Sequence, residues 1–339
     1  MTKLVSQSIL NDERRGRLAP PFLFQSAEPK DPGSISPAIL ALMIVLLFAL
    51  SLSSAALPML TVSACVALLV IGLPHGMFDY LTLRKEGRGS WIRLAFLTAG
   101  YCGLAAIGFL GWQVAPTFSL IAFIVIAISH FMEDWAPEGS GLFGLAMAIS
   151  VIALPALLYS AQLSALFILI GGTNAGAITD YMRLVAPVFG LIAVAKLIID
   201  FGDGKTDQAW RNLLLLAATL LLPPGIGFAI FFCLYHSPKH FAAGRRDLMN
   251  QHDKPQGFFL YMSVSSAAVV LCVLLAHPLI TMSERLIVTA FQTLSILTLP
   301  HMILPYIIDK ARKFSTENTR KGAVKAKWLI SQGAAIWPV

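Results

Sequence analysis

Apolar runs of 18 or more residues recur along this chain from about residue 37 to about residue 309. No other property restricts the fold as much. Wound as a helix, such a run spans the ~30 Å hydrocarbon core of a bilayer. In lipid every backbone N–H and C=O must be paired within the protein, a rule that helices satisfy segment by segment. The expected fold is therefore all-α, a polytopic membrane helical bundle. Only 13% of the 339 residues are charged and 57% are hydrophobic, whereas a soluble domain carries about twice that charged fraction. Length alone would allow two soluble domains, but spans recurring up to the tail favour one bundle.

Ten spans are expected, at roughly 37–57, 60–83, 92–113, 117–136, 141–164, 179–200, 209–222, 225–244, 257–277 and 284–309. The seventh is short and ends at Pro223-Pro224, so it reads as a span, a re-entrant piece or the first half of a kinked helix. Residues 165–178 are ambiguous, because an apolar stretch runs into Gly171-Gly172-Thr173-Asn174. Residues 1–36 are polar, with Arg14, Arg15 and several prolines, and are expected to form a flexible cytoplasmic tail. Residues 37–310 form the bundle, and 311–339 a basic C-terminal tail. The first apolar run starts behind a long polar head and has no small-residue cleavage pattern, so no cleaved secretory signal is expected.

Charge orients the spans. With the N-terminus inside, cytoplasmic segments carry Arg84-Lys85 and Arg88, Lys205 and Arg211, Arg245-Arg246 and Lys254, and Lys310, Arg312 and Lys313. The opposite loops near 58, 115 and 223 carry no Lys or Arg; Arg183 and Arg285 are minor exceptions. The positive-inside rule then puts both termini in the cytoplasm, and the expected location is the cell (inner or plasma) membrane. The net charge of +7 has this explanation, and no nucleic-acid partner is expected. Cys65, Cys102, Cys233 and Cys272 are scattered singly and read as small buried residues.

Four histidines interrupt the apolar spans: His75, His130, His236 and His240. A histidine at such a depth is expensive and marks function by default. All four fall on even-numbered spans, as does His301 on the tenth. His75, His236 and His301 each precede a basic residue by nine positions, and His130 precedes Glu138 by eight. Nine helical residues rise about 13.5 Å, so the imidazoles sit at similar depth, as convergence on one ion requires. His236 and His240 are at i and i+4 and share a helical face. Pro238 between them predicts a kink that aims the pair. A single intramembrane histidine often just hydrogen-bonds to a neighbouring helix; an i,i+4 pair with two more at one depth favours a metal. His301 reads as a fifth ligand, a supporting hydrogen-bond donor or packing. Metal-bound imidazoles usually give their other N–H to an acceptor. Asp79, i+4 from His75, and Glu133, i+3 from His130, suit that role, though not necessarily toward the nearest histidine. Phe231, Phe232, Tyr235 and Phe241 read as packing, His252 as a loop residue and His277 as a span end. Neutral imidazoles suit iron, zinc, copper or nickel. All-histidine coordination in a membrane better fits a redox metal acting with oxygen on an apolar substrate.

The motifs G-L-P-H-G-x-x-D at 72–79, S-H-F-x-E-D at 129–134, L-Y-H-S-P-K-H at 234–240 and L-P-H at 299–301 resemble the Brp/Blh family of bacterial and archaeal membrane β-carotene 15,15′-dioxygenases. The resemblance runs from about residue 40 to 310. It implies four histidine ligands to Fe(II) at His75, His130, His236 and His240, with Asp79, Glu133 and His301 as support. It further implies that β-carotene and O2 are the substrates and that retinal, the product, passes to a rhodopsin. The chain departs from the family pattern at Met132, where glycine is common, and in its long N-terminal tail. A carotene is apolar and about as long as the ~30 Å bilayer core, so an enzyme in the membrane can take it from lipid. No residue is needed as acid or base. Three other readings compete. A di-iron desaturase or hydroxylase has about eight histidines in boxes, against seven here in all. A metal transporter needs a polar path to both faces. A retinal-binding rhodopsin would use Lys196 for a Schiff base, with far fewer spans.

Overall fold

The computed structural model describes residues 35–72, 78–79, 83–84, 90–138, 141–249, 256–277 and 281–333. Among them there is no strand, and the chain is all-helical. The helices are α1 (Pro37–Ser51), α2 (Ala56–Ala67), α3 (Trp91–Val114), α4 (Pro116–Met132), α5 (Gly141–Ala153), α6 (Pro155–Leu158), α7 (Ser160–Gly171), α8 (Ile178–Gly202), α9 (Thr206–Leu221), α10 (Pro224–Phe231), α11 (Ser237–Met249), α12 (Gln256–Ala276) and α13 (Met282–Gly333). The described residues from 35 to 308 form one compact unit. Those from 309 to 333 belong to a second unit and are helical throughout.

Each of the ten apolar stretches holds a helix. Five helical segments among the described residues are long and apolar enough to cross a membrane: Trp91–Val114, Pro116–Trp135, Gly141–Leu158, Thr173–Gly202 and Met282–Ile308. On α3 the exposed residues include Phe96 at 78%, Ile107 at 63% and Val114 at 83%. An apolar surface of that extent fits lipid, not water. The inward faces use small residues instead: Ala146, Ala148 and Ala156 meet no solvent, nor do Ala186 and Ala193 on α8. Small side chains let membrane helices approach closely, which is where their packing energy comes from.

One expected stretch is interrupted, and two that the sequence leaves open take a definite form. The fifth stretch, 141–164, does not run through. Pro155 cannot donate the next helical hydrogen bond, α6 ends at Leu158, and Tyr159 breaks the path at φ −123°, ψ 35°. The Tyr159 hydroxyl donates to the Leu221 carbonyl at 2.6 Å, tying the break to the end of α9. The ambiguous stretch at 165–178 is the end of α7 followed by a 3-10 turn at Thr173–Ala177, with Gly172 between them at φ +82°. The short seventh stretch is a helix of its own rather than half of a kinked one. Leu222 is extended, and α10 starts at Pro224. The chain folds back so tightly that a Cβ on Gly227 would lie 2.9 Å from the Ala218 carbonyl oxygen. Of the cysteines, Cys65 and Cys233 are buried as expected, but Cys102 and Cys272 are exposed; their helices turn those positions outward.

Candidate metal centre

Three histidines from two separate helical stretches converge. His130 lies two residues before the end of α4, His236 lies just ahead of α11, and His240 lies in its first turn. One ligand atom from each falls within 4.8 Å of the others. The ring centroids are 4.7 Å apart for His130 and His236, 5.1 Å for His130 and His240, and 4.5 Å for His236 and His240. His130 and His236 are buried. His301, on α13, places its ring 5.1 Å from that of His130. His75 lies outside the described residues.

A backbone irregularity aims the His236–His240 pair, but it is not the proline kink expected. Residues Phe232–His236 form a π-turn, in which the Ser237 N–H reaches back to the Phe232 carbonyl. Pro238 has no N–H to give to the carbonyl four residues earlier, so the register widens just ahead of it. Such single-turn π-bulges recur at functional sites. A second π-turn, Leu68–Gly72, stands immediately before the residues that contain His75. The two meet: the Ser237 hydroxyl donates to the Gly72 carbonyl at 3.2 Å. A Cβ on Gly72 would lie 2.7 Å from the Phe232 ring, so only glycine allows that approach.

The carboxylates divide differently from the sequence expectation. Asp79 is buried and accepts from His301 Nδ1 at 2.7 Å and from the Tyr101 hydroxyl at 3.1 Å. It therefore holds the histidine on α13. Glu133 stands 3.9 Å from His130 Nδ1, beyond hydrogen-bond distance, and is one-third exposed. Its neighbour Asp134 takes the role expected of it. Asp134 Oδ2 lies 2.7 Å from His236 Nδ1, and Oδ1 lies 3.3 Å from His240 Nε2. The reason is the path of the chain. Past Met132 it tightens into a 3-10 turn, Glu133–Glu138, which swings residue 134 rather than 133 toward α11.

Other residues hold this turn. Trp135 is fully buried, donates to Asn212 Oδ1 at 3.0 Å and stacks on Phe231 and Tyr235. Lys239 donates to the Asp134 carbonyl oxygen. Gly144 lets α5 pass the end of α4: a Cβ there would lie 2.8 Å from the Met132 carbonyl oxygen and 3.2 Å from the Met132 Cγ. Met132, which departs from the family pattern, thus faces a residue without a side chain. Sequence reasoning missed Asp134, Tyr101, Lys239 and Trp135. The one available signal was that Asp134 is i+4 from His130 within the S-H-F-x-E-D motif.

The walls are apolar. Phe231 and Phe232 are buried, and Phe232 stacks on His236 at 5.0 Å between centroids, so both pack as expected. A small cavity bordered by His130 is lined otherwise by Phe123, Ala127, Phe131, Phe228 and Phe232, with Leu294 and Thr298 closing it. His277, at a helix end, lies 3.1 Å from Gln292 Oε1; His252 is outside the described residues. Lys196 is paired with buried Asp200. A clustered set of neutral imidazoles, one of them fixed by a carboxylate, suits a first-row transition metal.

Comparisons with known proteins point to one family. The family described as "Beta-carotene 15,15'-dioxygenase" matches residues 66–309. The chain is 26% identical over 259 residues to the "Beta-carotene 15,15'-dioxygenase" of uncultured marine bacterium 66A03, covering 71% of this chain and 91% of that one. It is 26% identical over 204 residues to the "Probable beta-carotene 15,15'-dioxygenase Blh" of Halobacterium salinarum, covering 51% of this chain and 58% of that one. No solved structure matches.

Proposed function

Since the chain belongs to the beta-carotene 15,15'-dioxygenase family, we propose that it cleaves the central 15,15′ double bond of all-trans-β-carotene at an Fe(II) held by His75, His130, His236 and His240. The reaction balances with one O2: the C15=C15′ bond breaks, each carbon gains one oxygen atom, and two retinal molecules result. The observation that carries this reading is the convergence of His130, His236 and His240 within 4.8 Å, on apolar walls in a membrane chain. When bound, iron supplies the one-electron chemistry with dioxygen that no side chain has.

The protein's own residues do the rest. The histidines offer neutral nitrogen donors and leave coordination positions to substrate. Phe131, Phe231 and Phe232, packed around His130 and His236, exclude water from the reacting region. The small cavity beside His130 suits dioxygen, an apolar molecule of about the size of water. Asp79 and Tyr101 hold His301 near His130 as support. The reading extends to a multi-pass protein of the cell membrane with ten spans and both termini cytoplasmic, which draws carotene from lipid and releases retinal to a rhodopsin.

Expression in β-carotene-producing bacteria tests it. The expected result is loss of colour with appearance of retinal in the wild type, and neither in His236→Ala or His240→Ala. Unchanged colour in iron-replete, well-expressed cells overturns the assignment. Full activity in His236→Ala overturns the ligand set.

A further inference from the structure

We propose that the small cavity beside His130 is the pocket through which dioxygen reaches the metal, and that Ala127 and Thr298 set its size. The proposal rests on the carotene-cleaving reading of the histidine cluster, and adds to it a binding site for the second substrate.

Three helical segments build the cavity, each with one face. α4 gives Ala127 and His130, three residues apart. α10 and the π-turn after it give Phe228 and Phe232, and α13 gives Leu294 and Thr298, each pair four apart. Residues at these spacings share a helical face, so the cavity is a meeting of three faces and not a gap beneath a loop. The two phenyl rings stack, with centroids 5.5 Å apart and planes 23° from parallel. Ala127 and Leu294 are buried. The cavity also has a fixed place relative to the histidines. Ala127 comes three residues before His130, and Thr298 comes three before His301, whose ring lies 5.1 Å from that of His130. Three helical residues rise about 4.5 Å. Both helices therefore put the cavity nearly one turn ahead of the same two rings, and His130 belongs to the cavity and to the histidine cluster alike.

Size and polarity select the occupant. There is room for about one water-sized molecule. A carotene could place no more than a methyl branch there. Water needs about two to four polar partners to stay in such a site, and the walls offer few. The Thr298 hydroxyl donates to the Leu294 carbonyl at 2.7 Å, and His130 is the one other lining residue with a polar side chain. Apolar cavities of this kind stay dry and accept small apolar molecules. Dioxygen, with two heavy atoms and no hydrogen bonds to satisfy, is such a molecule. A pocket of its own keeps it from competing with the polyene for one approach.

The test uses purified full-length protein loaded with Fe(II) and, in the absence of carotene and air, nitric oxide as a two-atom probe. Ala127→Val fills the cavity from α4, and Thr298→Ile fills it from α13. In each, the association rate of nitric oxide by stopped-flow absorbance falls about tenfold or more, the scale on which an added methylene counts in an apolar pocket. Iron content stays at the wild-type level. In turnover, the KM for dioxygen rises by a similar factor and the KM for β-carotene holds. Leu294→Ala widens the pocket, and nitric oxide binds faster. Wild-type association rates in both filled variants, with iron bound, overturn the proposal. So does a rise in the KM for β-carotene alone, which would give the cavity to a methyl branch of the polyene. If the filled variants do not fold, Leu294→Ala decides, and an unchanged or slower association overturns the proposal. No retinal from the wild type, with nitric oxide still slowed by Ala127→Val, sinks the carotene reading and keeps the pocket. A wild type that binds no iron sinks the metal centre and this proposal together.

Discussion

Trp135 touches none of the three clustered histidines in a hydrogen bond, yet it fixes the turn that carries Asp134. Its replacement by alanine removes the stack on Phe231 and Tyr235 and the bond to Asn212. Large-to-small changes of this kind in a packed core cost about 3–5 kcal/mol. We expect a clear drop in the thermal unfolding midpoint in detergent, with weakened metal binding in the fraction that stays folded. Trp135→Phe keeps most of the stack and should lose much less. At this scale the histidines were legible in the sequence because an imidazole in an apolar span is conspicuous. Asp134 was less so. Helical spacing from His130 admits both acids, Glu133 at i+3 and Asp134 at i+4, and only the 3-10 turn after Met132 decides that residue 134, not 133, faces α11.

The helical elements follow from local rules, and the π-turn at Phe232–His236 shows where those rules stop. A π-turn holds one residue more than the α-helical path. Inserting one further residue after Cys233, beyond the one this turn already absorbs, should turn His236 and His240 by about 100° relative to α10. Iron content of the purified variant should fall to background while its helicity by circular dichroism remains. Between α9 and α10 the limiting contact is backbone against backbone, with Gly227 under the Ala218 carbonyl. Gly227→Val must push the two helices apart, and we expect a lower yield of folded protein and a lower unfolding midpoint, by about 1–3 kcal/mol. Ten apolar stretches were readable from composition because each is bounded by charge, glycine or proline. The break at Tyr159 was not, since only Pro155 signals it and apolar residues continue on both sides. The proline between His236 and His240 did signal an irregularity, and the missing N–H puts it one turn earlier than a kink would lie.

For the whole molecule, the lipid-facing surface of α3 and the alanine-rich contact of α5 with α8 make a bilayer the natural solvent. The proposed ten crossings with both ends inside give a definite pattern of reporter fusions to test. A C-terminal green fluorescent protein should fluoresce, and alkaline phosphatase inserted near residues 58, 115 or 223 should be active. Phosphatase activity at the Lys205 loop would contradict the topology. A second whole-molecule test uses the metal. Dialysis against a strong chelator should abolish carotene cleavage, and Fe(II) under reducing conditions should restore it, with retinal measured by chromatography.

Hydropathy and histidine placement alone determined that this chain is all-helical, belongs in a membrane and carries histidines that could hold a metal, because lipid leaves the backbone few options and punishes every polar group without a purpose. Motif order pointed to the family. The tertiary structure alone decided which side chains meet. It brings His130 to His236 and His240, gives Asp79 to His301 and gives Asp134 to His236. Such pairings depend on the crossing of helices more than 70 residues apart in sequence, as between Asp134 and His236, where |i−j| is 102. Local periodicity holds no information over that distance; packing of small residues and two π-turns supplies it.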